Sequence, residues 1–303
     1  KNGRIYTDNL ENVAIIDGNK IIDNISYQQI LGNLVKANKN SSLEKGTPRI
    51  KRKFNGRVLS LAQGASGNSN YYHWLFDLLP KIKLYSEIYK LNDLDYLYAF
   101  KLKKFQLESL IPLGLEKIKI IDIKRDRHIE ANEIICTDHP YYFNGYFEIE
   151  SQNIPSWVVK WLRETFLQTA KKFTCSDKIF IDRSSSSSHY HFKNDDEISN
   201  FLEKKGFIKY KIENLSFFEQ IYLFMNAKFI IGAHGAGLAN LAFCQKRTKV
   251  IEIIPKNRNI SLYRKISEIN NLDYKLITTD VVEKSNTLSD DIYLDIDILK
   301  KYF

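Results

Sequence analysis

The chain has 303 residues, 44% of them hydrophobic and 27% charged, with 13 Gly and 6 Pro; this excludes disordered and fibrous classes and leaves material for two ordinary domains. No apolar run approaches the ~20 residues that a bilayer crossing needs, and no charged-then-apolar leader opens the chain, so a soluble protein is expected. The net charge of +9 favours anionic partners, but the basic residues are dispersed over 51–53, 101–104 and 124–127, and no nucleic-acid motif accompanies them, so nucleic acid is not an expected partner.

Residues 13–17 and 20–23 flank Gly18 and Asn19 and predict a hairpin. Strand-like runs at 57–61, 96–100, 118–123 and 133–136 then alternate with helical patterns at 71–90 and 105–113, a βαβ rhythm that predicts a parallel sheet. An amphipathic helix over 156–173 follows Pro155, and the domain junction is placed there, giving units 1–155 and 156–303. The rhythm restarts with strands at 178–182, 207–212, 228–231, 249–254 and 274–278, helices at 195–205, 216–226, 235–243 and 261–270, and a closing helix at 290–301. The expected fold is α/β: two facing Rossmann-like domains, with ligand in the cleft beyond the strand C-termini.

Three segments can carry chemistry. In the first, over residues 70–81, His73 and Asp77 stand at i and i+4 and share a helix face. Pro80 is expected to bend or interrupt that helix. A partly buried Asp77, oriented by His73, can take a proton from a hydroxyl attacking a sugar's anomeric carbon; a purely structural His–Asp bond is the plainer alternative. In the second, over 178–194, Arg183 ends a strand, where its guanidinium can fork onto phosphate oxygens, with Ser184 and Asn194 beside it as further donors.

The third, over 230–241, runs from a β-branched strand through Gly232, His234, Gly235, Ala236 and Gly237 into a helix bearing Leu238 and Asn240. Such a turn aims backbone N–H groups and a positive helix end at an anion. Asn240 occupies the third glycine position of the nicotinamide fingerprint, so that motif is excluded. Tight helix-on-strand packing is the alternative. Glu252, at the end of the next strand, can accept from ribose hydroxyls. Asp93 with Asp95, and Asp295 with Asp297, match a D-x-D metal pattern that is common by chance. The six histidines lack zinc spacing, and Cys136, Cys175 and Cys244 form no pair motif, so no required metal and a reducing compartment are expected. Sequons at Asn24, Asn40, Asn214 and Asn259 keep a secretory origin open.

Taken together, the His73, Trp74, Asp77, Pro80 set, the Arg183 to Asn194 segment and the Gly232, His234, Gly235, Ala236, Gly237, Leu238, Asn240 set resemble glycosyltransferase family sixty-one over most of the chain. The resemblance implies a GT-B fold, inverting chemistry and a nucleotide-sugar donor, usually UDP-linked, with no cofactor or metal required. It implies Asp77 as the base and Glu252 as a nucleotide contact. Many relatives carry arginines where His189 and His191 stand, so Lys193 or a cationic histidine is the substitute to consider at the phosphates. The expected acceptor is an oligo- or polysaccharide in bacterial capsule or other surface-polysaccharide synthesis. The expected location is cytoplasmic, in contact with the inner membrane face or with other polysaccharide-synthesis proteins. Rival readings are a non-catalytic carbohydrate- or nucleotide-binding module, a metal-dependent transferase using Asp93 and Asp95, and a polyanion-binding protein.

Overall fold

The computed structural model describes residues 3–9, 12–30, 33–62, 70–141, 145–183, 190–258, 262–283 and 291–303; Ser184 and His189, singled out above, lie outside them. The chain divides into two compact units, residues 1–158 and 159–303.

Short connections govern the start of the first unit. Strands β1 (Arg4–Asn9), β2 (Asn12–Asp17), β3 (Lys20–Ile21), β4 (Tyr27–Ile30) and β5 (Asn33–Lys36) follow one another with too few residues between them for a crossover, so neighbours pair antiparallel. Gly18 turns the expected hairpin with φ 57°. Of the later strands, β6 (Arg52–Ser60), β7 (Tyr96–Ala99) and β8 (Lys119–Asp122) are separated by helical connections and pair parallel in turn, and β9 (His128–Ile135) lies parallel to β6 on its other side. With β10 (Gly145–Tyr146), all ten join one sheet in the order β10-β5-β4-β2-β1-β9-β6-β7-β8, with β3 on β2. The first sheet is therefore mixed. The strands expected to form a parallel sheet do so, and the N-terminal strands, which lack room to cross over, extend it as an antiparallel half.

The second unit holds an all-parallel sheet, β11 (Lys178–Ile181), β12 (Ile208–Tyr210), β13 (Phe229–Ala233), β14 (Lys249–Pro255) and β15 (Asp273–Thr279), in the order β12-β11-β13-β14-β15. The apolar runs of β13 and β14 are buried along almost their whole length, as a sheet covered on both faces requires. Beneath it, Phe166 packs edge-on against Phe217 at 5.2 Å and Phe243 at 6.5 Å between ring centroids.

Both sheets reverse winding direction once. In the first unit this happens at β6, flanked by β9 and β7; in the second at β11, flanked by β12 and β13. Chain leaving adjacent strands on either side of such a point diverges and leaves a crevice at the strand C-termini. The segments leaving β6 and β9, and those leaving β11 and β13, carry the residues considered below.

The closing helix is shorter than expected, Ile296–Lys300. Asn194 explains why: its side-chain amide donates to the Leu294 carbonyl at 2.8 Å and its Oδ1 accepts from Leu294 N at 3.2 Å, holding that stretch extended beside β17 (Asp291–Ile292), which pairs with β16 (Val281–Glu283). Among the described residues no helix is long and apolar enough to cross a membrane. Phe166→Ala should cost about 3–5 kcal/mol, because a fully buried ring leaves a cavity that a sheet-backed core refills poorly; urea denaturation of the variant checks it.

Candidate functional site

After β6 the chain enters a helix at Tyr71–His73 whose first amides, of Tyr72 and His73, are capped by the Asn70 side chain. It widens into a π turn over Trp74–Leu78 and resumes as an α-helix at Leu79–Ser86. The widening answers Pro80. Proline has no N–H for the i−4 carbonyl and its ring crowds that oxygen, and here Leu79 N reaches back five residues to the Trp74 carbonyl. The α-helix is thus interrupted at Pro80, as expected, by a π turn next to Asp77, and it resumes shifted in register instead of ending. Trp74, Leu75 and Phe76 are fully buried, and the Trp74 indole N–H donates to Ser109 Oγ at 2.8 Å.

Asp77 is buried with them. Its Oδ2 accepts from His73 Nδ1 at 2.6 Å and its Oδ1 from the Tyr141 hydroxyl at 2.5 Å. His139 Nε2 stands 3.5 Å from Oδ1, at the limit of a hydrogen bond. Tyr141 and His139 arrive on the segment leaving β9, across the switch point. His139 Nδ1 accepts from Tyr141 N at 3.3 Å, which leaves the proton on Nε2, facing the carboxylate. Burial alone would push the Asp77 carboxyl up; the facing His139 and His73 outweigh it and hold the group well below the usual carboxylate range. Burial, with Lys81 and His73 nearby, lowers His139 against the pull of Asp77, so it serves as a neutral donor. Lys81, one turn beyond Asp77 and also buried, is lowered to about 8 by desolvation, opposed by Cys136 and Asp77. Of the four members His73, Asp77, His139 and Tyr141, His73 is the exposed one, its side chain 23% accessible against 1% for Asp77.

In the second unit, Arg183 leaves β11 and the Gly-rich turn leaves β13, side by side at the switch. A Cβ on Gly235 would lie 1.5 Å from Arg183 Nη1 and 2.4 Å from Cζ, so the guanidinium lies directly over that glycine. Gly232 has the same logic against β11, where a Cβ would meet Ile181 Cβ at 3.1 Å. Burial lowers Arg183 from its ordinary value, opposed by nearby Tyr263, Glu213 and Tyr190. Tyr190 holds a φ of 69°, a strained conformation for a bulky residue, and its ring stands edge-on to His234 at 6.0 Å, with Tyr263 at 5.1 Å from the same imidazole.

The segment after the turn, Ala236–Phe243, is a 3-10 helix rather than the expected α-helix. Three residues per turn place Ala236, Ala239 and Ala242 in one row, where only small side chains tolerate the eclipsed stacking. The first intrahelical bond is Leu238 N to the Gly235 carbonyl at 2.9 Å, so the amides of Ala236 and Gly237 precede the helix's own bonding. His234 N is spent on the Ile253 carbonyl at 2.8 Å.

His234, Gly235, Ala236 and Gly237 are half-exposed, whereas Leu238 and Asn240 are buried. Asn240 donates to Gln220 Oε1 at 3.0 Å and to the Gly237 carbonyl at 3.2 Å, supporting the turn from behind. Glu252 is equally withdrawn. Its Oε1 accepts from His234 Nδ1 and its Oε2 from the Tyr274 hydroxyl, both at 2.5 Å, so the carboxylate expected at the ribose orients His234 here. Asn194, expected among the donor contacts, is engaged with Leu294. The D-x-D pairs are structural too: Asp95 accepts from Arg57 N at 2.8 Å, and Asp295 caps the last helix through Asp297 N at 2.8 Å. Sequence reasoning missed Tyr141 and His139, which sit in no periodic or motif-like setting, and gave no role to Tyr190, Tyr263 and Tyr274, which lie inside segments it did pick out.

Ionisable groups gathered at the C-terminal side of parallel strands mark the switch points of this mixed α/β protein as its candidate site. The model of glycosyltransferase family 61 matches residues 71–251, from the first turn of the His73 helix to within one residue of Glu252, and the chain belongs to that family. It is by that membership a glycosyltransferase, acting on a donor and an acceptor. A search of curated proteins finds no match.

The depressed Asp77 carboxyl has a stability signature. Its folded value lies below its unfolded value of about 4, so the stabilisation is fully present above pH ~4 and is lost as pH falls through the folded value. Asp77→Asn should cost about 1–3 kcal/mol near neutrality, and chemical denaturation should show that gap shrinking as pH is lowered from about 5 towards 2.

Proposed function

We propose that the chain moves a sugar from a nucleotide sugar, UDP-linked, to a glycan hydroxyl with inversion, with no required metal, and that its two units are of the GT-B class. One observation carries the reading: the Arg183 guanidinium lies across Gly235 at the switch point of a parallel sheet, beside the amides of Ala236 and Gly237. A planar fork over bare backbone N–H groups suits a diphosphate, which accepts from both.

In this reading Arg183, His234, Gly235, Ala236 and Gly237 contact the donor, and they receive the charge that develops as the diphosphate leaves. Glu252 and Tyr274 fix the His234 ring, while Leu238, Asn240 and Asn194 hold the backbone behind it. Tyr190 and Tyr263 flank the imidazole. The acceptor hydroxyl gives its proton to the His73–Asp77 pair as its oxygen bonds to the anomeric carbon; the bond from that carbon to the phosphoryl oxygen breaks and its electron pair leaves with the diphosphate. Bacterial surface-polysaccharide synthesis on the cytoplasmic side, near the inner membrane face, is the setting the Lys-, Ile- and Asn-rich composition supports.

A thermal-shift screen against UDP, GDP, CMP and TDP compounds, repeated in chelator and followed by mass spectrometry of products, tests this. UDP compounds should raise the melting temperature equally with and without chelator, since a ligand at 100 times its Kd adds about 2.7 kcal/mol. Arg183→Ala and Gly235→Ala should each weaken UDP binding by roughly 10–100-fold, the loss of a charge-assisted bond, and leave the fold intact because the Gly235 clash is with the end of a flexible side chain. No shift with any nucleotide would refute the donor reading, and activity lost only in chelator would refute metal independence.

A further inference from the structure

The reading above leaves open which member of the His73–Asp77 pair takes the proton, and the family resemblance favours Asp77. The geometry points the other way. A base must come within hydrogen-bond reach of the proton it removes. Asp77 is 1% accessible, lies among the fully buried Trp74, Leu75 and Phe76, and has a donor at 2.5–2.6 Å on each oxygen. An acceptor hydroxyl reaching it would have to displace Tyr141 or His73 and enter packed core.

We propose that His73 is the base that deprotonates the acceptor, and that Asp77, Tyr141 and His139 are positioning residues that fix its imidazole. The proposal rests on the transferase reading above. Nδ1–H of His73 is donated to the ionised Asp77, so the ring's basic lone pair is on Nε2. The acceptor O–H proton passes to Nε2, the freed oxygen bonds to the anomeric carbon, and the nucleotide diphosphate departs with the electron pair of the broken bond. The imidazolium so formed has Asp77 at 2.6 Å to stabilise it. Asp77 itself stays ionised throughout, held by the Tyr141 hydroxyl at 2.5 Å, with the His139 imidazole 3.5 Å away. Tyr141 and His139 reach it from the far side of the switch point, so the orientation of the His73 ring is set by the sheet and not by its own helix alone.

The test uses the full chain, with UDP-glucose, UDP-galactose, UDP-N-acetylglucosamine and UDP-xylose as donors, water or p-nitrophenyl glycosides as acceptors, and release of UDP as the readout. His73→Ala and the closer isostere His73→Gln should lose 10²–10⁴-fold in kcat, the range for a general base, with UDP affinity unchanged by calorimetry. Added imidazole should restore His73→Ala at least tenfold, whereas formate should not restore Asp77→Ala. Tyr141→Phe should lower kcat with KM unmoved, a split that a merely structural role would not give.

Rescue of Asp77→Ala by formate, with His73→Gln keeping more than a tenth of its turnover, would overturn the assignment in favour of Asp77. Diethyl pyrocarbonate labelling, mapped by mass spectrometry, decides independently of turnover: His73 should be modified well before His139, and a His73 that resists labelling in the folded protein overturns the proposal even if no donor is turned over. Failure of UDP to bind, with His73 still reactive, would strike at the donor reading instead.

Discussion

A buried carboxylate must be given its hydrogen bonds inside the protein, since the loss of water is otherwise too costly to bear, and each unit of this chain is organised around one. Asp77 in the first and Glu252 in the second are solved the same way. One oxygen takes an imidazole Nδ1 and the other a tyrosine hydroxyl, from His73 and Tyr141 in one case and His234 and Tyr274 in the other. In both, the carboxylate is 1% accessible and the imidazole is the more exposed partner, at 23% and 12%. The buried charge therefore acts at one remove. It fixes the tautomer and tilt of the more exposed ring, and in the proposed mechanism that ring takes over the chemistry the sequence assigns to the carboxylate.

What brings such partners together is the winding of the sheets. Tyr141 is 64 residues from Asp77 and Tyr274 is 22 from Glu252, yet each pair rides on neighbouring strands or on the segments leaving them. Two of the closest approaches need glycine. Gly232 lets β13 lie against Ile181, and Gly235 lets the Arg183 side chain cross the turn. Neither residue is there for an unusual backbone angle; each is there because a Cβ would occupy space already taken.

The helix and strand alternation after residue 50 was readable because apolar periodicity reports directly on burial, and the His73–Asp77 pair was readable because an i, i+4 spacing is a local fact. The rest was hidden for distinct physical reasons. Strands β1 (RIYTDN), β4 (YQQI) and β5 (NLVK) mix polar and apolar residues without a clear alternation, so they show themselves only through pairing. The 3-10 form of Ala236–Phe243 is written in the three-residue spacing of Ala236, Ala239 and Ala242, a pattern that also suits an α-helix. The burial of Glu252 and Asn240 behind the turn was hidden because a polar residue beside a glycine turn looks the same in sequence whether it faces a ligand or braces the loop from behind. Tyr141, His139 and Tyr274 carry no local signal at all, since their partners are set by tertiary structure.

The 3-10 geometry also shifts where an anion's charge must be met. An α-helix presents four amides before its own bonding begins, and a tighter three-residue turn presents fewer. Here the His234 amide is already committed to Ile253. Backbone dipoles alone thus make a thinner cradle than the glycine pattern suggests. On the donor reading the balance has to come from side chains, and Arg183, packed over Gly235, stands at this turn to supply it. A guanidinium taken partly out of water is costly to hold and correspondingly strong toward a phosphate that replaces that water. On the proposed donor reading the glycines contribute less as anion-binding backbone than as room for the arginine, and the phosphate contact falls chiefly to Arg183.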